Sequence, residues 1–169
     1  MINADMNLVK NFYIATITSA FISSAYSATD TDTFTVQATV ASVCTITAND
    51  LIFSGTYDPT SNTNLDDTSS VDVTCTTGTD YTISLSAGLG TGATVAVRTM
   101  TLGTDTLDYT IYQDAGRTVV WGETIGVDTV AGTGNGTTQN IIMYGRVFSN
   151  QPTVPPGTYT DTVTATVTY

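Results

Sequence analysis

The chain has 169 residues, a formal net charge of −11, only four basic residues and no histidine. The length suits one domain with a sizeable core. Binding to a nucleic acid or to an anionic membrane surface requires clustered Lys and Arg, which this chain lacks. Scattered acids are a simpler means of keeping an exported protein soluble. Since no nucleophile stands beside a recognisable base, we expect no enzyme, no catalytic residue, no metal site and no cofactor.

The residue types favour strands throughout the chain. Threonine is the most frequent residue, and β-branched and aromatic residues are enriched in strands. Short segments of alternating apolar and polar residues are separated by turn signals, a pattern typical of a β-sandwich. No segment has an apolar stripe at helical spacing, so we expect an all-β fold without parallel crossover connections.

Residues 1–28 have the features of a secretory signal peptide. Lys10 gives a weakly positive start, and Phe12–Ala25 is apolar but too short and too rich in Thr and Ser for a membrane span. Small residues at Ala25 and Ser27 provide cleavage sites. We therefore expect export through the periplasm and no membrane insertion of the mature chain.

Residues 29–41 contain a strand that alternates with a period of two residues. Its polar side chains face one way, and its small and apolar side chains face the other: Phe34, Val36, Ala38 and Val40. We interpret this segment as a donor strand that fills a gap in a second copy of the chain. Ala38 is small where a bulky residue would fill more space, which indicates a groove that is either shallow or constricted at that position.

The domain proper is expected over residues 42–169. Its two cysteines, Cys44 and Cys75, are an even count and would pair in an exported chain. The chain ends with an alternating strand, Tyr159–Tyr169, where a sandwich would require one more strand. Its inward face is predicted to form the edge of an acceptor groove: Val163, Ala165, Val167 and Tyr169.

Between these points the pattern predicts further strands. Val71–Cys75 and Tyr81–Ala87 read as a hairpin, and Gln139–Phe148, apolar on both faces, as a central strand. Ala131–Gly136 (AGTGNG) reads as a flexible loop.

Three segments resemble the spore coat protein U family, which includes subunits of archaic chaperone–usher pili of the Csu type. They are Leu107–Glu123 (LDYTIYQDAGRTVVWGE), Gly132–Val147 (GTGNGTTQNIIMYGRV) and Pro155–Tyr169 (PPGTYTDTVTATVTY). The strand before Cys44 matches as well. The resemblance implies an immunoglobulin-like sandwich that lacks its last strand and is completed by the N-terminal donor strand of a neighbouring subunit. It also implies a periplasmic chaperone and an outer-membrane usher as assembly partners.

The resulting prediction is a structural shaft subunit of a cell-surface pilus, polymerising with copies of itself and serving adhesion and biofilm formation. A tip adhesin would carry an extra binding domain, for which this chain has no room. The alternatives are a secreted spore or surface coat protein, and a monomeric adhesin or lectin-like module with ligand loops at Tyr57–Ser70 or Gly88–Gly92.

Three local patterns could indicate a ligand-binding site, and for each we compare that interpretation with a purely structural role. The Gly-rich loop Ala131–Gly136 could cradle a phosphate, but it lacks the lysine and the helix that such loops need. The aspartates at 30 and 32 and at 66 and 67 could bind calcium, but they lack the glutamate spacing of a calcium loop. Trp121 could stack on a carbohydrate, although a core position is favoured.

Overall fold

The structure is a computed structural model that describes residues 25–169. Most of the predicted signal peptide, residues 1–24, lies outside the described residues. The regular secondary structure of the described residues consists of eight β-strands: β1 (Cys44–Ala48), β2 (Leu65–Cys75), β3 (Asp80–Leu85), β4 (Arg98–Leu102), β5 (Asp105–Tyr112), β6 (Val130–Thr133), β7 (Thr138–Val147) and β8 (Ala165–Thr168). Over residues 25–169, no helix has the length and apolar character needed to cross a bilayer.

The strands form two antiparallel sheets. The five-stranded sheet has the order β1-β2-β7-β5-β4, and the three-stranded sheet has the order β6-β3-β8. β7 lies between β2 and β5, which confirms the central position predicted for Gln139–Phe148. The predicted all-β, immunoglobulin-like sandwich is likewise confirmed.

The alternating sequence explains where the core lies. In β2, Val71 and Val73 are fully buried while Asp72 between them faces outward. In β3, Ile83 and Leu85 are buried in the same way. Burying each such side chain contributes about 1.5–3 kcal/mol relative to leaving it exposed. The inward faces of the two sheets therefore meet in one hydrophobic core.

The disulfide predicted from the cysteine count is present. Cys44 and Cys75 lie directly opposite each other in the pairing of β1 with β2, and their sulfur atoms are bonded. The bond fixes β1, the edge strand of the five-stranded sheet, to its neighbour β2.

Two sequence predictions about connections are wrong. β2 and β3 do not form a hairpin, because they belong to different sheets and Gly78, with φ of 81°, turns the chain from one sheet to the other. The predicted loop at Ala131–Gly136 contains most of β6. Gly132 is needed there because the hydroxyl of Tyr81 lies 2.5 Å from where a Cβ would stand.

Candidate functional site

The main concave feature of the domain is a groove at the free edge of β8. β8 pairs with β3 on one side, and it is the last strand of its sheet. Two adjoining cavities of about 340 and 560 Å³ lie next to it: the smaller reaches β8 at Ala165, and the larger continues from it between residues 51–59 and residues 154–160. Their floor consists of apolar side chains from the five-stranded sheet: Val71, Met100, Leu107, Tyr109, Ile111 and Met143. These floor side chains are buried except for Met100, whereas apolar side chains along the walls are only half-buried, as expected where one more strand would lie: Leu51, Phe53, Val163 and Ala165.

The first wall of the groove is the segment that follows β1. Asn49 still pairs with β2, since its N–H donates to the Ser70 carbonyl at 2.9 Å. Beyond it the chain leaves the sheet, and Leu51 and Phe53 pack as half-buried side chains against the core. Ile52, between them, is 69% exposed. This wall thus carries apolar side chains without being part of a sheet.

The second wall is the segment that crosses from one sheet to the other before β8. Thr160 pairs with Thr101 of β4 through two main-chain hydrogen bonds of 2.8 and 3.2 Å. Only Ala165–Thr168 is a regular strand, so the predicted strand over Tyr159–Tyr169 is shorter than expected. The reason is that residues 159–164 change their partner from the five-stranded to the three-stranded sheet.

The free edge of β8 has a defined pattern of main-chain groups. The Thr164 carbonyl accepts a hydrogen bond from the Ser86 N–H at 2.9 Å, so Thr164 points its main chain towards β3. Successive residues of an antiparallel strand alternate between facing the partner and facing away. The N–H and C=O groups of Val163, Ala165 and Val167 therefore point to the open side.

The side chains of these residues are turned towards the core. Val163, Ala165 and Val167 are half-buried and pack against the core cluster. Val163 and Ala165 line the smaller of the two cavities, whereas Val167 lines neither cavity. Tyr169 lies beyond the end of β8 and is 57% exposed. The structure thus brings two of the four predicted edge residues to the groove.

An acid in the second wall was not singled out from the sequence. The Asp161 carboxylate accepts hydrogen bonds from the Tyr109 hydroxyl and from the Leu89 N–H, both at 2.8 Å. Burial, followed by the bond to Asp161, raises the pKa of Tyr109, so its hydroxyl remains a donor. In the alternating pattern, Asp161 falls on the same face as Val163. An acid on an otherwise apolar face was the sequence signal that could have identified it.

A buried cation behind the groove was also missed. Arg98 is fully buried, and its five N–H donors all have acceptors. These acceptors are the main-chain carbonyls of Ser86 (2.9 Å), Val95 (2.9 Å), Leu85 (3.1 Å) and Trp121 (2.7 Å) and the hydroxyl of Thr110 (3.3 Å). Burial lowers the pKa of Arg98, but a guanidinium remains charged at physiological pH. The available signal was its place on the inward face of β4 with Met100.

The predicted donor segment has no regular secondary structure in its described part. Phe34, Val36 and Val40 are 87, 84 and 82% exposed, and Ala38 is exposed as well. Three large apolar side chains on one face of an alternating segment are therefore accessible to solvent.

The structure assigns the competing local patterns to structural roles. Asp66 accepts two hydrogen bonds from Arg146, at 2.7 and 2.8 Å. Asp67 accepts hydrogen bonds from the main-chain N–H and the hydroxyl of Ser54, both at 2.8 Å. Among the described residues, no cluster of His, Cys, Asp or Glu has the arrangement of a metal site.

The Gly-rich loop and Trp121 are also part of the packed domain. The N–H groups of Gly134 and Gly136 donate to the carbonyls of Thr79 and Cys75, at 2.8 and 3.1 Å, so neither faces a phosphate. Trp121 is fully buried, and its Nε1–H donates to the Ile83 carbonyl at 2.9 Å. It cannot stack on a carbohydrate.

The sequence matches the Spore Coat Protein U domain over residues 30–166. The chain belongs to this family. Protein U of Myxococcus xanthus is 35% identical over 181 residues, which cover 97% of this chain and 100% of that protein. The Spore Coat Protein U family was the one indicated by the three sequence segments, and that prediction is confirmed.

A solved structure links this Spore Coat Protein U domain to pilus proteins. It is the crystal structure of the CsuC–CsuE chaperone–tip adhesion subunit pre-assembly complex from archaic chaperone-usher Csu pili of Acinetobacter baumannii. The match has a TM-score of 0.58 and 26% identity, and covers 78% of this chain and 41% of that chain. The present chain thus spans less than half the length of the chain it matches.

Proposed function

We propose that the protein is a structural subunit that polymerises by strand addition, with residues 29–41 of one copy lying in the groove of the next. The observation that carries this proposal is the apolar groove, with half-buried side chains along its walls, beside the free edge of β8. The same chain supplies a segment with the alternation of the missing strand. Phe34, Val36, Ala38 and Val40 would face the groove floor, and the donor main chain would pair with the edge formed by Val163, Ala165, Val167 and Tyr169.

The energetics favour such a joint. Transfer of Phe34, Val36 and Val40 from solvent into the groove contributes roughly 1.5–3 kcal/mol for each side chain. Each main-chain hydrogen bond to the free edge of β8 adds about 0.5–1.5 kcal/mol. An unpaired edge next to an apolar groove is otherwise a site of aggregation, so an arrangement in which the groove is always filled is favoured.

In this proposal the subunit belongs to the shaft of an archaic chaperone–usher pilus at the cell surface and serves adhesion and biofilm formation. A periplasmic chaperone fills the groove first, and an outer-membrane usher accepts the subunit. The matched complex of a chaperone with a pilus subunit supports this partner class. A structural role, without catalysis, agrees with a groove whose floor is apolar.

The proposal can be tested by separating donor and acceptor. A donor variant replaces Phe34 and Val36 by Asp, and its control replaces the polar-face residues Thr35 and Gln37 by Asp. An acceptor variant, Ala165→Trp, fills the groove with its own side chain. Folding of each variant is checked by circular dichroism, and assembly is followed by light scattering and electron microscopy.

We expect the control to form fibres and each of the two variants alone to remain monomeric. Their mixture should give a discrete 1:1 dimer, because the acceptor variant still carries a donor strand and the donor variant still carries a groove. Fibres from a folded donor variant would show that residues 29–41 are not the donor. If the acceptor variant is misfolded, the donor variant and its control decide the result.

A coat layer is the second candidate, because the family is described as a spore coat domain. The same strand addition would operate, but the product would be a layer and not a filament. Electron microscopy of cells that produce the protein distinguishes the two. A monomer that never assembles would instead support the adhesin alternative.

A further inference from the structure

We propose that Arg98 is a positioning residue for the acceptor edge: its side chain holds the end of β3 in place so that the empty groove already presents a pairing edge. This inference rests on the proposed function and specifies how the groove is kept ready for a donor strand. The following contacts carry it.

Arg98 is linked to the acceptor wall through a single residue, Ser86. The Nε of Arg98 donates to the Ser86 carbonyl at 2.9 Å. Ser86 in turn makes two hydrogen bonds to Thr164: its N–H donates to the Thr164 carbonyl, and its hydroxyl accepts the Thr164 N–H, both at 2.9 Å. Arg98 thus fixes the point at which the second wall joins the three-stranded sheet.

The same strand, β4, holds the other end of that wall. Thr101, three residues after Arg98, makes the two main-chain hydrogen bonds to Thr160. The wall is therefore attached to β4 directly at Thr160 and indirectly, through Arg98 and Ser86, at Thr164. Both attachments use other residues of the wall, Thr160 and Thr164. The main-chain groups of Val163 therefore remain free on the groove side.

An arginine at position 98 is informative, because burying a charged side chain costs free energy. A buried cation is tolerated only when it is fully hydrogen-bonded, and an apolar side chain of similar volume often gives equal or greater stability. Within residues 25–169, no carboxylate lies within ion-pair distance of Arg98. Its partners are main-chain carbonyls on three separate segments and the hydroxyl of Thr110, so its main effect is to fix their relative positions.

Fixing the edge matters for strand addition. A donor strand pairs only with N–H and C=O groups that are in register, and ordering those groups at the moment of binding reduces affinity. An edge ordered in advance avoids that cost. Replacement of Arg98 should thus weaken donor binding by more than the accompanying loss of global stability explains.

The test uses the full-length donor variant (Phe34→Asp, Val36→Asp), whose groove is left empty, and a fluorescent peptide of residues 29–41. Arg98→Lys keeps the charge but cannot reach all five acceptors. Val73→Ala is the matched control, since Val73 is fully buried and lines neither cavity. Peptide affinity is compared at urea concentrations that give both variants equal global stability, and hydrogen exchange is measured for residues 160–168.

We expect Arg98→Lys to bind the peptide about tenfold more weakly than Val73→Ala, equivalent to about 1.4 kcal/mol. Hydrogen exchange should accelerate selectively at residues 160–168. Equal affinities, or exchange that increases evenly over both sheets, would reduce Arg98 to a structural core residue.

Two further results complete the design. If Arg98→Lys does not fold, Ser86→Ala replaces it, because this change loosens the joint through which Arg98 acts: it removes the hydroxyl that accepts the N–H groups of Thr164 and Gly88, at 2.9 and 3.3 Å. Unchanged peptide affinity in Ser86→Ala would then overturn the inference. If the parent with Arg98 intact binds no peptide, the proposed function itself fails.

Discussion

At the residue scale, the disulfide between Cys44 and Cys75 joins two directly paired strands across a sequence separation of 31 residues. In the chain-entropy model, closing a loop of this length stabilises the fold by roughly 3–4 kcal/mol. We expect the double variant Cys44→Ala, Cys75→Ala to lose a free energy of unfolding of this size, measured by urea titration of the donor variant monomer. A reductant should lower the stability of the parent and leave the cysteine-free variant unchanged; a cysteine-free variant of parental stability would contradict this.

Residue-scale predictions from the sequence succeeded where one residue type has few roles. The pairing of Cys44 with Cys75 and the core position of Trp121 follow from export and from apolar neighbours. Arg98 and Asp161 were missed because their positions depend on partners far away in the chain: acceptors such as the Trp121 carbonyl for Arg98, and donors such as the Tyr109 hydroxyl for Asp161. A period-2 pattern shows which side chains point inward, but it does not show which carbonyls lie there.

At the element scale, the groove consists of two adjoining cavities, and the boundary between them is relevant to the donor strand. The cavities share lining residues from both walls and from the floor, namely Leu51, Ile52, Phe53, Met100, Tyr159 and Thr160. Ala38 is the small residue between the larger Val36 and Val40. In the proposed joint, we expect the groove to narrow at this boundary, so that Ala38 lies there while the larger side chains fill the cavities on either side.

This expectation can be tested with one substitution in the donor strand and a compensating substitution in the groove. Ala38→Leu should slow fibre assembly, since forcing extra methylenes into a packed site typically costs about 1–3 kcal/mol. Met100→Ala in the accepting copy should restore part of the rate by removing volume from the floor. Gln37→Leu, on the opposite face of the donor strand, is the control and should assemble normally. Ala38→Leu that assembles at the parental rate would mean that the groove is not constricted there.

The positions of the strands were predicted better than their pairing. Alternation located β3, β7 and the second half of β2 from Val71 onwards, because the pattern depends only on which face is buried. The first half of β2, residues 65–70, was wrongly read as part of the polar loop Tyr57–Ser70, because its residues are nearly all polar. The predicted hairpin failed because pairing depends on the turn at Gly78, which carries the chain between sheets. β6 was read as a loop because Gly132 and Gly134 resemble turn residues, whereas both glycines allow close packing against side chains or main chain.

At the scale of the whole molecule, the excess of acids would by itself destabilise the fold through repulsion. Local hydrogen bonds oppose this effect at several carboxylates. The bond from Arg146 lowers the pKa of Asp66, the amides of Asn140 and Asn49 lower the pKa of Asp72, and the main-chain N–H of Val119 lowers the pKa of Asp114. At these three carboxylates, the hydrogen bonds have a larger effect on the pKa than repulsion from the other acids.

The sign of the pH dependence follows from these shifts. A carboxyl group whose pKa is lower in the folded state stabilises the fold above its unfolded pKa of about 3.9, and this contribution is lost as the pH falls through the folded pKa. We expect the urea midpoint of the donor variant monomer to fall between pH 6 and pH 3. The Asp66→Asn variant should have a lower midpoint than its parent at pH 6, by a small amount because the pair with Arg146 is partly exposed. The difference should narrow as the pH falls below the unfolded pKa of about 3.9 towards the lower folded pKa of Asp66. A difference that stays constant down to the acid limit of folding, or a parent that becomes more stable in acid, would show that repulsion among the carboxylates dominates instead.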